Sequence, residues 1–357
     1  MADSVRYPLL TERRIVQPIW GGTRLAEWLD LPEPHPERIG ETWQVYDTNL
    51  ILNGPLAGRT LAEVTSEHGA PLVGTRTVEQ YGADFPLLAK FIDAAQPLSI
   101  QVHPDDAYAR QHEADTGFHG KTEAWYILDA EPGASVVYGL ERPSSRAEFA
   151  VAVEDKTLES LLRRVPVHAG DVIFVPAGTI HAIDAGIMLF EIQQKSDLTY
   201  RVYDYGRRDA RTGQPRELHL DKALDVGDLG PTPRMTIPTL PLSETRHLLI
   251  ACPFFALERW ALGGTEELTT DPGTFEIWTV IKGQGTLHWN DGRTALRRGD
   301  SVVLPAALGR YMLVPDLSNG NFHLLRAYVP NLERDLMTPL QQRGVDAARI
   351  AETVVLQ

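Results

Sequence analysis

Apolar and polar residues alternate with a period of two through much of this chain, the spacing of half-buried β-strands. The clearest run starts at Pro97: Leu98, Ile100 and Val102 take one face, and Ser99, Gln101 and His103 the other. A turn follows at Pro104-Asp105-Asp106, and a second strand begins near Lys121, placing Lys121 and Glu123 on one face. Upstream, Phe85 to Ala94 reads as a buried strand and residues 40–52 as an alternating one. Thr23–Leu29, Leu61–Thr75 and Thr77–Tyr81 carry helical spacing, whereas the three prolines of Leu31–Gly40 predict a loop.

Downstream, Ala124–Ala130 and Ser135–Leu140 read as strands around a turn. Ser144 to Val165 breaks the rhythm: Phe149, Ala152, Leu158, Leu161 and Leu162 fit a helical period behind an N-cap signal at Ser144-Ser145-Arg146. Strands resume at His168–Pro176 and across residues 187–205, with a turn at Lys195-Ser196-Asp197. Arg207 to Gly230 reads as a long polar connection, and the four prolines of Gly230–Pro241 mark a domain boundary. Short strands then run to Pro330, and the tail from Leu332 is helical in part.

Two pieces of this pattern recur. TEAWYILDAEPGASV at 122–136 matches FEIWTVIKGQGTLHW at 275–289, and AGDVIFVPAGTIHAI at 169–183 matches RGDSVVLPAALGRYM at 298–312. The offsets are 153 and 129 residues, so the first copy holds 24 more residues between the two pieces, in keeping with a helical insertion near 144–165. Two copies of a short-stranded antiparallel unit predict a mainly β protein of two small barrels or jelly rolls. The expected domains are 1–235, 236–330 and a tail at 331–357. Glu276 matches Glu123, but Arg310 stands opposite His181 and nothing like Gln-Val-His precedes the second copy. The first copy is therefore expected to hold the chemistry and the second to be metal-free.

Composition narrows the function classes. With 357 residues, 43% apolar and 23% charged, the chain can bury a sizeable core. A net charge of −14 argues against a nucleic-acid partner. The lone Cys252 allows neither an intramolecular disulfide nor a thiolate metal site. No signal-peptide pattern and no membrane-spanning apolar run is present, so the expectation is a cytoplasmic protein without a membrane partner.

Gln101, His103, Glu123 and His181 arise from separate strands or strand ends that a barrel interior can converge. Two imidazoles, a carboxylate and an amide suit zinc, and also Fe(II), Co(II) or Mn(II). Lys90 and Lys121 lie in strands where a buried ammonium needs a carboxylate or an anion. Arg201, between Tyr200 and Tyr203 in an alternating strand, reads as interior, whereas Arg208 and Arg211 read as a solvated surface run. A metal, carboxylates at Glu191 and Asp197 and an anion-binding group fit a sugar-phosphate or hydroxy-acid site. A metal and a cation near a hydroxyl–carbonyl pair stabilise an enediolate, which is isomerase chemistry.

PLSIQVHPDD, GKTEAWYIL, VPAGTIHAI and SDLTYRVYDYGR, with the earlier IWGGTRL and IGETW, resemble the type I mannose-6-phosphate isomerases in their shorter bacterial form. The resemblance covers about residues 15–330. It implies a cupin fold with a helical addition, one zinc per chain, and interconversion of mannose 6-phosphate and fructose 6-phosphate through a cis-enediol. It implies Gln101, His103, Glu123 and His181 as zinc ligands, with water as the alternative to Gln101. It implies Arg201 as the catalytic arginine and Ser99 and Lys90 on the phosphate side. Lys121 matches the lysine two residues before the ligand glutamate, and Glu191 and Asp197 match carboxylates near the site. Lys121, Asp197, Glu191 and a zinc-bound water all stay open as the proton-transfer group. Longer members carry a lysine where this chain has Arg207. The alternatives are a non-catalytic cupin that binds a sugar phosphate and regulates a partner, and a metal-dependent dioxygenase of the same barrel class. Loss of turnover on replacing Arg201, and the identity of the native metal, discriminate them.

Overall fold

The computed structural model describes residues 5–209, 212–231 and 236–356. The chain forms two compact units that are discontinuous in sequence. Ile15–Thr42 and Phe91–Thr236 make the site unit, and Met1–Arg14, Trp43–Lys90 and Ile237–Gln357 the companion unit. Compactness thus groups residues 43–90 with the C-terminal part, across the continuous domains drawn from the sequence. Within the proline-rich stretch 230–241, residues 232–235 lie outside the described residues.

The site unit is built from two antiparallel sheets. The smaller runs, in spatial order, Tyr200–Tyr203, Ile100–Val102, His181–Ile183, Ser135–Leu140 and Leu162–Pro166. The larger includes Ile187–Gln194, Glu123–Ala130 and Val172–Val175, in that order. Their inner faces share one core. Trp125, Ile127, Ile173, Val175 and Leu189 come from the larger sheet, and Val136, Tyr138 and Ile183 from the smaller. On the outer face of the smaller sheet, Ile100, Val102, Ala182 and Val202 pack against Phe149, Ala152, Leu158 and Ala223 from helical segments. Burying one such phenylalanine contributes about 1.5–3 kcal/mol. The sheet therefore has an apolar back, which leaves its inner face to carry polar groups at one end.

The companion unit repeats the plan with a seven-stranded and a four-stranded antiparallel sheet. The repeat is visible in hydrogen bonds. Gly170 N donates to Ile127 O at 2.8 Å, and Gly299 N to Val280 O at 2.8 Å. Both glycines take positive φ, 94° and 89°, which a side chain would strain. Asp171 accepts from His168 N at 2.8 Å, and Asp300 from Arg297 N at 3.0 Å. The architecture is mainly β with several antiparallel sheets. Among the described residues the sheets keep open edges, such as Tyr200–Tyr203 and Leu162–Pro166, and none closes into a barrel.

Several elements differ from the sequence reading. The helix expected to reach Val165 spans Arg146–Glu154 and stops where Lys156 turns to φ 58°. A one-turn 3-10 helix follows at Leu158–Ser160, and Leu162–Pro166 becomes a strand because Val165 pairs with Val136. Leu61–Thr75 is cut by Gly69 and Gly74 into helices Leu61–His68 and Ala70–Val73. Helices at Asp106–His112 and Leu220–Val226 stand where a turn and a polar connection were expected. No helix among the described residues is long and apolar enough to cross a membrane.

Candidate metal centre and active site

Strand register gathers the site. Arg201 pairs with Gln101, Gln101 with His181, and His181 with Tyr138, so these four side chains form one row across four neighbouring strands. Paired residues of antiparallel strands share a face, and the strands lie about 4.8 Å apart. The row faces inward, because the alternate residues Ile100, Val102, Ala182 and Val202 are in the outer packing layer. Glu123 enters from the facing sheet, whose Trp125 and Ile127 lie in the shared core below it.

His103, Glu123 and His181 are fully buried, and their donor atoms lie within 4.8 Å of one another. His103 Nδ1 donates to Leu198 O at 2.8 Å, and His181 Nδ1 to Thr179 O at 2.8 Å. A carbonyl can only accept, so each Nδ1 carries its proton and each Nε2 presents a lone pair. His103 Nε2 is 3.5 Å from Glu123 Oε2, and His181 Nε2 is 3.3 Å from Glu123 Oε1. Two imidazole lone pairs thus converge on a carboxylate, an arrangement of acceptors that needs a cation between them. Lys121 Nζ supplies part of that charge, 3.1 Å from both Glu123 Oε2 and His103 Nε2. Glu123 Oε2 nevertheless has no hydrogen bond. Burial opposes ionisation of Glu123, while the Lys121 ammonium favours it, and the carboxyl is held well below its usual range. Burial, reinforced by Lys121, pushes the His103 imidazole well below its ordinary value, so it is neutral and ready to ligate.

This donor set fits a divalent ion of borderline character. Gln101 Nε2 lies 3.3 Å from His181 Nε2, and a half-turn of the amide presents Oε1 there as a further ligand atom. The carbonyls on both Nδ1 atoms provide the outer support usual for ligating histidines.

The other expected residues divide. Lys121 joins the cluster directly. Arg201 sits in its inner row, Nη1 donating to Glu217 O at 2.9 Å and Nε buried without a partner. Ser99 is buried on the same strand approach. Glu191 is buried and accepts from Trp125 Nε1 at 2.9 Å, while the Trp125 ring meets His181 at 5.6 Å. Asp197 is exposed in its turn, and it is the neighbouring Leu198 whose carbonyl orients His103. Lys90 is buried on the Leu87–Ala94 strand and counts with the companion unit.

Sequence reading missed the brace behind Lys121. Gln194 Oε1 accepts from Thr122 N at 3.0 Å, its Nε2 donates to Asp106 Oδ1 at 3.0 Å, and Asp106 Oδ1 accepts from Gly120 N at 2.8 Å. It also missed His219, whose Nδ1 accepts from Arg201 N at 3.2 Å. Neither residue stands out in a period-two pattern.

The fold and donor set define a protein of the cupin class with a candidate metal centre. Comparison with known proteins narrows this further. Residues 10–134 match the family profile "Phosphomannose isomerase type I, catalytic domain", and 244–328 match "Mannose-6-phosphate isomerase, cupin domain". The chain is 38% identical over 321 residues to mannose-6-phosphate isomerase ManA of Bacillus subtilis, covering 86% of this chain and 95% of that one. It is 36% identical to mannose-6-phosphate isomerase of Streptococcus mutans over 87% of this chain and 96% of that protein. The crystal structure of the mannose 6-phosphate isomerase from Bacillus subtilis superposes with a TM-score of 0.78 at 34% identity, covering 90% of this chain and 99% of that one. A zinc-bound mannose 6-phosphate isomerase shares the fold at 16% identity and a TM-score of 0.70. The chain belongs to the type I mannose-6-phosphate isomerase family.

Proposed function

We propose that this chain is a zinc-dependent aldose–ketose isomerase that interconverts mannose 6-phosphate and fructose 6-phosphate through a cis-enediol, with one zinc per chain. The observation that carries the reading is the single inward row Arg201–Gln101–His181, which sets a guanidinium with an unpartnered donor beside a buried His–Glu–His set. The relatives named mannose-6-phosphate isomerase support the substrate. His103, Glu123 and His181 would hold the ion, with Gln101 or water completing its shell. A bound divalent ion supplies Lewis acidity toward the sugar oxygens at C1 and C2.

The protein's own groups do the rest. Arg201 stabilises the negative charge that develops on the enediolate oxygens, its Nε donor being already desolvated and without a protein partner. One proton leaves C2 and returns to C1 in the forward direction. Lys121, buried beside the donor set, is the best-placed of the side chains considered to carry or relay it. Glu191 shapes the pocket floor through Trp125, and Asp197 lies at the site's exposed margin. Ser99, and by family resemblance Lys90, belong to the phosphate side. The catalytic domain is assigned to the expected 1–235 segment and a metal-free cupin-like role to 236–330.

The test is a coupled assay for fructose 6-phosphate from mannose 6-phosphate, run on native protein, after chelation and after zinc is restored. Activity should disappear with the metal and return with zinc, and Arg201→Ala should abolish turnover while zinc remains bound. A zinc-loaded, folded protein without turnover would overturn the reading in favour of a sugar-phosphate-binding cupin.

A further inference from the structure

Following the strand from His103 through Gln101 to Ser99 and Pro97 leads away from the donor set and into a concentration of positive charge. Two guanidiniums share one buried carboxylate, Asp204. Arg216 grips it twice, Nε to Oδ2 at 2.8 Å and Nη2 to Oδ1 at 2.5 Å. Arg207 adds Nε and Nη2 to Oδ1 at 3.1 and 2.5 Å, and its Nη1 donates to Pro97 O at 2.6 Å. Arg201 stands beside them, and no carboxylate partner of Arg201 occurs among the described residues. Burial lowers its proton affinity, and the Arg216 and Arg207 charges lower it further, which marks how closely the cations crowd. Glu217, the other acid that bears on Arg201, has an 83% exposed side chain and spends its charge on solvent.

Three guanidiniums against one carboxylate leave two surplus positive charges in a half-buried setting. Such crowding costs free energy unless an anion shares the space. A phosphate monoester carries nearly two negative charges at neutral pH, and the guanidinium fork matches its oxygens. The donors still available decide which arginine does the binding. All three nitrogens of Arg207 are engaged, whereas Nη1 of Arg216 and Nε of Arg201 have no protein partner among the described residues.

We propose that Arg216 is a specificity-determining residue that receives the substrate's phosphate group on the Ser99 side of the pocket, and that Asp204 and Arg207 are positioning residues that aim it. The identity of the substrate rests on the isomerase reading above, whereas the anion site stands on the arginine geometry. Arg207, which takes the place of a lysine in longer relatives, acts here through Asp204 rather than on the phosphate.

The experiment compares wild type, Arg216→Ala and Arg216→Lys in steady-state kinetics on mannose 6-phosphate. It also measures calorimetric binding of inorganic phosphate to zinc-loaded and zinc-stripped protein. Losing a charge-assisted bond corresponds to about a tenfold or larger effect. Arg216→Ala should raise KM by about that factor with a much smaller change in kcat, and should weaken phosphate binding equally with and without zinc. Zinc content should not change. Arg216→Lys, which keeps the pairing with Asp204 and so guards against a folding failure, should fall between. Unaltered KM and phosphate affinity in either folded variant would overturn the proposal. Arg216-dependent phosphate binding without any turnover by wild type would instead sink the isomerase reading and leave the anion site standing.

Discussion

Replacing Arg326 with methionine tests what stands in the companion unit where the site unit gathers its metal donors. Glu276 is the repeat counterpart of Glu123, and Trp278 that of Trp125. Arg326 pairs with Trp278 in register as Glu191 pairs with Trp125, so an arginine takes the position of an acid. Its Nη2 lies 2.8 Å from Glu276 Oε1, and its Nη1 lies 3.6 Å from Glu258 Oε1. Both carboxylates are buried, at 0% and 1% exposure. Without the guanidinium, Glu276 would keep only Trp278 Nε1 at 2.7 Å and Tyr311 OH at 2.6 Å, two neutral donors for a full charge. Removing one partner of a buried pair costs about 3–5 kcal/mol. Methionine fills the space of the stem but also gives up the guanidinium's place over the Tyr328 and Trp278 rings, so a loss of about 3 kcal/mol or more is expected. Adding Glu276→Gln removes the stranded charge yet keeps an acceptor for Trp278 and Tyr311. The double variant should therefore recover about half of the loss or more. The assay is urea unfolding followed by tryptophan fluorescence and far-UV circular dichroism, with two transitions allowed because there are two compact units. A single-variant loss below about 1 kcal/mol, or a double variant no more stable than the single one, would refute the account.

Burial opposes ionisation of Glu258, but Arg326 and Arg246 outweigh it and set its carboxyl below a glutamate's ordinary 4.5. Its stabilising contribution is therefore present above that pH and lost as pH falls through the depressed folded-state pKa; Glu258→Gln should flatten the acid limb of an unfolding-midpoint-versus-pH curve. Arg310→Ala, at the exposed counterpart of His181, should leave metal content unchanged, and loss of the ion from a folded variant would contradict the roles given to the two copies. Gln194→Ala frees the buried Thr122 N–H and loosens the segment carrying Lys121; chelator competition should show metal affinity falling about tenfold, and an unchanged affinity would mean the brace is passive.

Period-two alternation is a local property, which is why the donor strands were legible. Gln101 and His103 share a face by spacing alone, as do Lys121 and Glu123, while the repeat places Arg310, not a second histidine, opposite His181. Their convergence depends on register, which the sequence expressed only through family resemblance. The Leu220–Val226 helix was hidden because its stability comes from burying Ala223 on the back of the sheet, not from a strong amphipathic pattern of its own. Asp204 and Arg216 were equally silent. They lie 12 residues apart in a polar stretch where no periodicity predicts that one carboxylate will gather two guanidiniums. Asp197 shows the converse limit: its position matched a family carboxylate, yet its side chain is exposed and the neighbouring backbone carbonyl does the orienting.

The two copies together explain how one frame accommodates opposite electrostatic solutions. In each, a glutamate at the start of a central strand points inward above a tryptophan, and a buried carboxylate there demands a cation. In the companion unit, Arg326 satisfies Glu276 from the neighbouring strand through a covalently tethered charge. In the site unit the same strand position is Glu191, which adds negative charge, and the nearby imidazoles are pinned so that their lone pairs face Glu123. Lys121 offsets part of that deficit, yet Glu123 Oε2 still lacks a hydrogen bond. The exchange of Arg for Glu at one register position, with two histidines oriented by backbone carbonyls, turns a self-neutralised core into a donor set that could hold a divalent cation. An exchangeable cation can lend its remaining coordination positions to a substrate, whereas a guanidinium saturated by carboxylates and aromatic rings cannot.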